Sequence, residues 1–189
     1  MKFFTKDRHI YILICIIVFA VYANSLGNDF VSDDRSGILL NPQVGEWSYV
    51  FRSFIGMGNS ITRLIIFHIF GLQAWAFRAF NIIMHAGAAC SVYYLFKHLY
   101  DRKLGLLVAF LFAVHPIFTE SITWVAGAGY VSYGLYFLLS FILFLESEDK
   151  YNWKYFLSLV LYLAAVLTSE KAVSLSAIFI LYNFIYSQE

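Results

Sequence analysis

Long apolar stretches separated by short polar ones run through the whole chain. A membrane-spanning helix needs roughly 20 mainly apolar residues, with about 17 as a lower limit. Three stretches reach this length, and three are short at 14 or 15 residues, so these are expected to extend through their polar flanks. The pattern predicts an all-α membrane protein, a polytopic bundle of about six transmembrane helices. The predicted spans are residues 10–26, 75–100, 104 to about 118, about 124 to 145, 155–168 and 172–186.

Composition agrees with this pattern. Hydrophobic residues make up 61% of the 189 positions, aromatic residues 20% and charged residues only 13%. A soluble core of that size needs fewer apolar side chains. The lipid bilayer is therefore the expected environment, and no nucleic-acid partner is predicted. Cys15 and Cys90 lie inside apolar stretches, where they act as small hydrophobic residues.

The distribution of lysine and arginine predicts the orientation, because cytoplasmic ends of membrane helices carry an excess of these residues. If the N-terminus is cytoplasmic, more lysine and arginine residues lie on the cytoplasmic side than on the outer side. The predicted localisation is the cytoplasmic (inner) membrane. A signal peptide cleaved after "VYA", before Asn24, is the alternative for the first stretch, and the length of that stretch favours an uncleaved helix. The predicted inner cations are Lys2, Lys6, Arg8, Lys97, Arg102, Lys103, Lys150 and Lys154, against Arg35, Arg52, Arg63, Arg78 and Lys171 at or beyond the outer face.

Residues 27–74 form the one long connection between predicted spans, and this orientation makes it extracytoplasmic. Within it, residues 61–72 are apolar but too short to span, and Arg63 and His68 interrupt them. Such a segment is typical of an interfacial helix lying on the outer leaflet. That helix would fold the acidic stretch "GNDFVSDDRSGILLN", residues 27–41, back against the membrane surface.

Polar residues recur near the outer ends of the predicted helices. Ionisable groups at membrane depth are costly and usually line a cavity or pathway, which favours a single polar site open to the outer face. The alternative is that the loop acids are solvated or cap a helix. Asn81 and His85 lie four residues apart and are expected to hydrogen-bond between helices. The candidate site residues are Asp33, Asp34, Arg63, Arg78, His115, Glu120 and, within "TSEKA" at 168–172, Glu170.

Five segments together carry a family resemblance. In chain order they resemble the N-terminal half of the membrane module of a GT-C type glycosyltransferase. The nearest group is the transmembrane, TPR-containing O-mannosyltransferases and their bacterial relatives, which also resemble the protein O-mannosyltransferases. The resemblance implies a GT-C-like bundle over residues 1–189. The segments are "NSLGNDFVSDD" ending the first span, "TR" at Thr62 and Arg63, "FNIIMH" at 80–85, "LGLLVAFLFAVHPIFTESITWVAG" at 104–127 and "SEKA" at 169–172.

The chain departs from this family in motif and in length. Where the group often has Trp-x-x-Gly-Arg-x-Asp, the chain has Trp124, Gly127, Ala128 and Tyr130. The family's Lys-Glu-x-Ala aligns with residues 169–172, which keep the Glu and lose the Lys from its position. Such modules resemble bundles of about a dozen spans, often followed by TPR repeats. The chain is therefore expected to be an N-terminal portion, or one half of a split enzyme.

By resemblance, the donor is a sugar, such as the hexose mannose, on a polyprenyl phosphate. The acceptor is a hydroxyl of a protein or glycan on the outer face. Asp33 or Asp34 is then the base that takes the hydroxyl proton during an inverting attack. Arg63 or Arg78 binds the departing phosphate. Glu120, Glu170 and His115 are further substrate-binding candidates, and Asp29 is expected to be a solvated turn residue.

Two questions stay open at the level of sequence. Some GT-C relatives use a divalent ion, which Asp33 and Asp34 would hold, whereas the O-mannosyltransferases resemble metal-independent enzymes, so the cofactor is unknown. The alternative function is a non-catalytic multi-pass membrane protein, a transporter or scaffold, whose outer acids bind an ion or a partner.

Overall fold

The computed structural model describes residues 7–52, 54–147 and 151–186, and every regular element in these ranges is helical. The prediction of an all-α protein is confirmed. Short 3-10 turns follow several helices, and a single π turn spans Arg35–Leu39. The helices are α1 Arg8–Tyr22, α2 Trp47–Val50, α3 Met57–Phe70, α4 Ala74–Leu99, α5 Arg102–Val114, α6 Thr119–Thr123, α7 Ala128–Glu146, α8 Trp153–Thr168 and α9 Ser174–Tyr186.

Helices occupy all six predicted spans, but they differ in length. Among the described residues, Arg8–Gly27, Ala74–Leu99 and Val125–Glu146 are long and apolar enough to cross a membrane. Arg102–Val114 and Pro116–Thr123 make a fourth span if the pair, bent by 46°, counts as one. Helices α8 and α9 have 16 and 13 residues and are shorter than a full span. The chain is thus a multi-pass membrane protein in which three or four helices meet the length of a span.

Local sequence sets the helix ends. The Asp101 side chain accepts hydrogen bonds from the backbone N–H groups of Lys103 and Leu104, which caps α5. Asn152 caps α8 in the same way. Gly71 ends α3 with a φ of 68°, a left-handed conformation that glycine adopts without a steric cost. These three helix ends therefore lie where the chain supplies a capping side chain or a glycine.

Helix α4 is the centre of the bundle and packs against α1, α5 and α7. Ile10, Ile14, Val18 and Tyr22 recur every fourth residue along α1, so their side chains lie on one face, and all four are buried. This face packs into one hydrophobic cluster with residues of α4 and α5. The partners are Ile82, Ala89, Val92, Tyr93, Ala109 and Ala113.

The long loop after α1 packs back onto the bundle. A second buried cluster joins loop residues to α3, to the start of α4 and to the turn before α7. The helix predicted at residues 61–72 is present as Met57–Phe70, starting one turn earlier and ending at Gly71. Its interfacial position stays a prediction. The cluster consists of Phe30, Ile38, Val44, Ile66, Ala76, Phe77 and Val125.

Ion pairs join neighbouring helices at the end of the bundle that is opposite the long loop. Lys97 of α4 forms an ion pair with Asp7, directly before α1. Lys154 Nζ of α8 lies 2.8 Å from Glu146 Oε2 of α7. The bundle is therefore fixed by charges at one end and by the folded loop at the other, where the candidate site residues lie.

Candidate active site

The break between α5 and α6 frees backbone carbonyl groups inside the bundle. Pro116 has no N–H to donate, and the N–H of Ile117 donates to His115 Nδ1 at 3.2 Å instead of continuing the helix. The carbonyl of Ala113, which would accept that N–H in a regular α-helix, is hydrogen-bonded to His85 Nε2 at 3.4 Å. A broken span is tolerated because α4 supplies the missing partner.

Asn81 has the same role as His85, one turn away on α4. Its amide nitrogen donates to the carbonyl oxygens of Ile122, at 3.2 Å, and Trp124, at 2.9 Å. The predicted interhelical hydrogen bonding of Asn81 and His85 is thus confirmed. Both side chains are buried, and both bind backbone of the broken segment. Helix α4 therefore determines where residues 113–124 lie.

Arg78 connects this segment to the acidic loop. Its Nε donates to the carbonyl of Thr123 at 2.8 Å, its Nη2 to the carbonyl of Asp29 at 2.6 Å, and its Nη1 to the carbonyl of Asn28. The side chain is 1% exposed. Because all three nitrogens bind backbone oxygens, the guanidinium acts as a clamp between the acidic loop and the segment after α5.

The two adjacent aspartates of the loop have opposite environments. Asp34 is fully buried, and its Oδ1 accepts from the N–H of Ala126 at 2.8 Å while its Oδ2 accepts from the N–H of Val31 at 3.3 Å. Asp33 is exposed and receives one long contact, 3.4 Å, from the Ser32 hydroxyl. Asp34 therefore anchors the loop to the turn before α7, and Asp33 presents its carboxylate to the exterior.

The backbone conformation of Ser32 accompanies the contrast between the exposed Asp33 and the buried Asp34. Ser32 is the one described non-glycine residue with a positive φ, at 49°. A left-handed serine costs free energy, and such strain is typical of functional sites where the surrounding contacts hold the backbone in place. Here the contacts are those of Asp34 and Arg78 on either side of the turn. The strained turn directs Asp33 outwards while Asp34 stays buried.

Arg63 of α3 is the second cation of the site. Burial lowers the pKa of its guanidinium, and the charges of Tyr49 and Asp34 oppose this shift with smaller effects. The side chain stays protonated at neutral pH. Its Nε and the Oδ1 of Asn59, one turn earlier on α3, are buried without a hydrogen-bond partner among the described residues. Arg63 is thus a cation with unused donor capacity beside the acidic loop.

A cleft of about 730 Å³ opens between the acidic loop and the segment after α5. Arg78 forms part of its floor, and the exposed residues Asp29 and Glu120 line it. The indole Nε1 of Trp124, another lining residue, is buried and lacks a hydrogen-bond partner within the described ranges. The remaining lining residues are Gly27, Asn28, Val31, Ser32 and Thr123.

The predicted site residues are only partly brought together. Arg63 and Arg78 both have Asp34 as an electrostatic neighbour, and Arg78 shares the cleft with Glu120. The cleft lining does not include the other predicted site residues, which are Asp33, Asp34, Arg63, His115 and Glu170. His115 and Glu170 are exposed. His115 caps a 3-10 turn, and Glu170 begins another beside Lys171, whose Nζ lies 4.3 Å from the centre of the Tyr130 ring.

The donor set around the aspartates bears on the open question of a metal. Within residues 7–52, 54–147 and 151–186 there is no group of three or more His, Cys, Asp and Glu side chains placed to hold a metal ion. The oxygens of Asp34 are occupied by backbone N–H groups. The described residues around the two aspartates therefore do not form a donor set for a metal ion.

Two residues of the cleft do not stand out in the sequence. Asp29 has the pattern of a solvated turn residue, and Trp124 that of an aromatic at a membrane interface. They are held in the cleft by hydrogen bonds from Arg78 and Asn81 to their backbone carbonyl groups. Because every residue has a backbone carbonyl, the sequence does not reveal these contacts. The spacing of Arg78 and Asn81 on one face of α4 is the only available signal.

Curated relatives match most of the chain. Protein O-mannosyl-transferase TMTC1 of Homo sapiens is 31% identical over 152 residues, covering 68% of this chain and 17% of its own. Protein O-mannosyl-transferase Tmtc2 of Drosophila melanogaster is 30% identical over 186 residues, covering 85% and 20%. Protein O-mannosyl-transferase TMTC3 of Homo sapiens is 28% identical over 198 residues, covering 93% of this chain and 22% of its own. The chain spans about a fifth of the length of these relatives.

A comparison with protein-family models identifies the family and the residues that match it. No solved structure matches the chain significantly. The family model described as dolichyl-phosphate-mannose-protein mannosyltransferase matches residues 57–188, which include every described helix from α3 to α9. The resemblance to O-mannosyltransferases predicted from the sequence is confirmed. This chain belongs to the dolichyl-phosphate-mannose-protein mannosyltransferase family.

Proposed function

We propose that the chain is a glycosyltransferase module that moves a hexose, such as mannose, from a polyprenyl phosphate to a hydroxyl group on the outer face of a membrane. Membership of the mannosyltransferase family supports the class of reaction. The observation that carries the proposal is the pair Asp33 and Asp34, one carboxylate exposed and the other anchored, beside the partly buried Arg63. A base and a cation are what the transfer needs.

Asp33 is the base. As the acceptor oxygen attacks the anomeric carbon, its proton moves to the Asp33 carboxylate, and the bond between that carbon and the phosphate oxygen breaks with inversion. A phosphate is already a good leaving group, so no protonated carboxylic acid is required at the donor, in contrast to glycoside hydrolases. An exposed carboxylate with a single long contact can approach a hydroxyl, whereas the fully buried Asp34 cannot.

Arg63 binds the departing phosphate. The negative charge that develops on the leaving oxygen is stabilised by a nearby fixed cation. Arg63 has an unpartnered Nε within the described structure and a desolvated guanidinium, so an ionic contact there is stronger than in water. Arg78 instead keeps the loop in place, because its three nitrogens bind the carbonyls of Asn28, Asp29 and Thr123. The two arginines thus divide binding and positioning between them.

The proposed topology places this site outside the cell. The N-terminus lies in the cytoplasm, so α1 delivers the acidic loop to the outer face of the cytoplasmic membrane, and α3 lies along that surface. The lipid-linked donor then reaches the site from the bilayer, and a protein or glycan hydroxyl reaches it from the aqueous side. The site lies at the end of the bundle opposite the Asp7 to Lys97 ion pair.

Transfer in membranes that contain the protein tests the proposal. The substrates are a polyprenyl-phosphate mannose with a labelled sugar and a peptide rich in serine and threonine. We expect Asp33→Asn to reduce transfer by roughly 100-fold or more, the usual effect of removing a general base. Arg63→Gln should reduce it as well, and Arg63→Lys should restore some of the activity because the charge returns.

Glu46→Gln is the matched control, since Glu46 is an exposed acid of the same loop whose carboxylate binds only the Ser48 hydroxyl, at 2.9 Å, among the described residues. It should transfer at the wild-type rate. Normal transfer by Asp33→Asn would rule out Asp33 as the base, and a wild-type protein that transfers no sugar would favour the alternative of a non-catalytic membrane protein.

A further inference from the structure

We infer that the cleft between Asp29 and Glu120 binds the hexose ring of the lipid-linked donor. This inference rests on the proposed function and assigns a place to the sugar itself, apart from the base Asp33 and the phosphate-binding Arg63. The cleft is about 730 Å³, which is within the range of small-molecule sites and leaves room for a single sugar ring.

The two acids give the cleft its hydrogen-bonding character. Asp29 and Glu120 come from different elements that line the cleft, one from the acidic loop and one from α6. Neither carboxylate is in an ion pair or a hydrogen bond with another described side chain, so their acceptor oxygens are available. Ionised carboxylates are acceptors only, and neighbouring hydroxyls of a sugar are donors that match them.

Trp124 supplies a complementary donor. Trp124 is one of the residues that line the cleft, and its indole Nε1 is buried and has no acceptor among the described residues. A buried donor left unpaired costs free energy, and a hydroxyl or ring oxygen of a sugar would satisfy it. The indole also offers an apolar surface against which the C–H face of a pyranose packs. Acceptors, a donor and an aromatic surface thus meet in one cleft.

The backbone around the cleft is fixed before any ligand arrives. Arg78 holds the carbonyls of Asn28 and Asp29 on one wall and that of Thr123 on the other. Asn81 holds the carbonyl of Trp124. These contacts set the distance between Asp29 and Glu120, so little ordering is required when the sugar binds.

Binding of two lipids to the full chain in detergent micelles tests the inference. The probes are farnesyl phosphate mannose and farnesyl phosphate, followed by tryptophan fluorescence. We expect mannose to tighten binding roughly tenfold, as one or two hydrogen bonds to charged groups do. Asp29→Asn and Glu120→Gln should each abolish most of that gain and leave the affinity for farnesyl phosphate unchanged. Glu46→Gln, the exposed loop acid outside the cleft, should leave both affinities unchanged.

The outcomes separate the two proposals. If the wild-type chain binds neither lipid, both the proposed function and the sugar site fail. If it binds both, and the preference for the mannosylated lipid persists in Asp29→Asn and in Glu120→Gln, the sugar lies elsewhere and only the cleft assignment is overturned. Trp124→Phe adds a further check, because it keeps an aromatic ring and removes the N–H. It should lower the affinity for the mannosylated lipid alone, measured by titration calorimetry because the substitution removes a fluorophore.

Discussion

The carboxylate of Asp34 accepts a hydrogen bond from the backbone N–H of Ala126, 92 positions further along the chain, at 2.8 Å. This contact joins the acidic loop after α1 to the turn that begins α7. It leaves Asp34 fully buried and Asp33, the preceding residue, exposed. The two acids of one motif therefore have different environments, and variants can tell them apart.

Asp34→Ala should destabilise the protein, and Asp33→Ala should not. The first change leaves the N–H groups of Ala126 and Val31 without their acceptor, a loss of about 1.5–3 kcal/mol for bonds to a charged group. The second removes an exposed side chain. Thermal unfolding of the purified variants in detergent is the measurement. Equal melting temperatures for the two variants would contradict the anchoring role of Asp34.

Arg78→Lys should loosen the acidic loop. A lysine carries the same charge, but its single ammonium cannot reach three carbonyl oxygens in the fixed directions that the guanidinium serves. We expect faster cleavage of the loop by protease added to the outer side of sealed membranes. Arg52→Lys is the control, because Arg52 is exposed and contacts the Tyr49 ring at 5.8 Å. A loop equally resistant in both variants would argue against the clamp.

Gly127→Ala should damage the turn before α7. A Cβ at this position would lie 2.5 Å from the carbonyl oxygen of Ser121, which is backbone and cannot move aside cheaply. Gly134→Ala, further along α7, has no atom within 4 Å of the added Cβ and should be neutral or stabilising by up to about 1 kcal/mol. Melting temperature and transfer activity should both fall for Gly127→Ala, and unchanged values would show that the turn can widen.

The Asp7 ion pair predicts a pH dependence of stability. Its hydrogen bond to Lys97 is the main cause that lowers the pKa of Asp7 below 3.8, with smaller contributions from the charges of Lys97 and Arg102 and a hydrogen bond from Tyr93, against desolvation. A carboxyl with a lowered folded-state pKa stabilises the fold above its unfolded pKa. That contribution is lost as the pH falls from about 3.8 through the lower folded value.

Melting curves of the wild type and Asp7→Asn check this dependence. The wild type should be the more stable at pH 7, and the difference should shrink only below about pH 4. Asp101→Asn is a useful comparison, since Asp101 is an exposed helix cap at the same end of the bundle. A difference between wild type and Asp7→Asn that already disappears between pH 7 and pH 5 would contradict the direction of the shift.

Cys15 and Cys90 test the packing of α1 on α4. Their Sγ atoms lie 3.9 Å apart, and a disulfide requires a separation of about 2 Å. A movement of about 2 Å would bring the two sulfur atoms to bonding distance. The oxidant diamide, which takes up the two electrons and two protons released by the thiols, should then join them in a disulfide. Cleavage of the intervening loop should then leave two fragments linked until a reductant is added. Fragments that separate without reductant, as expected of Cys15→Ser, would place the helices differently.

Periodicity and composition are enough to predict the helical bundle. Stretches of apolar residues can satisfy their backbone only as helices within a bilayer, so the all-α fold and the positions of the long spans follow from the sequence. The spacing of Ile10, Ile14, Val18 and Tyr22 likewise predicts the buried face of α1. Polar residues inside apolar stretches, Asn81 and His85, indicate interhelical hydrogen bonds for the same reason.

The site itself depends on contacts that local sequence does not encode. The sequence presents Asp33 and Asp34 as an equivalent pair, and Arg63 and Arg78 as equivalent cations. Tertiary structure separates each pair, because Asp34 meets the N–H of Ala126 and Arg78 meets three carbonyls from distant segments. Every partner in these contacts is a backbone group, which any residue carries. The sequence by itself determined the helices and the candidate charges, and only the fold decided which charges are anchored and which remain free to bind.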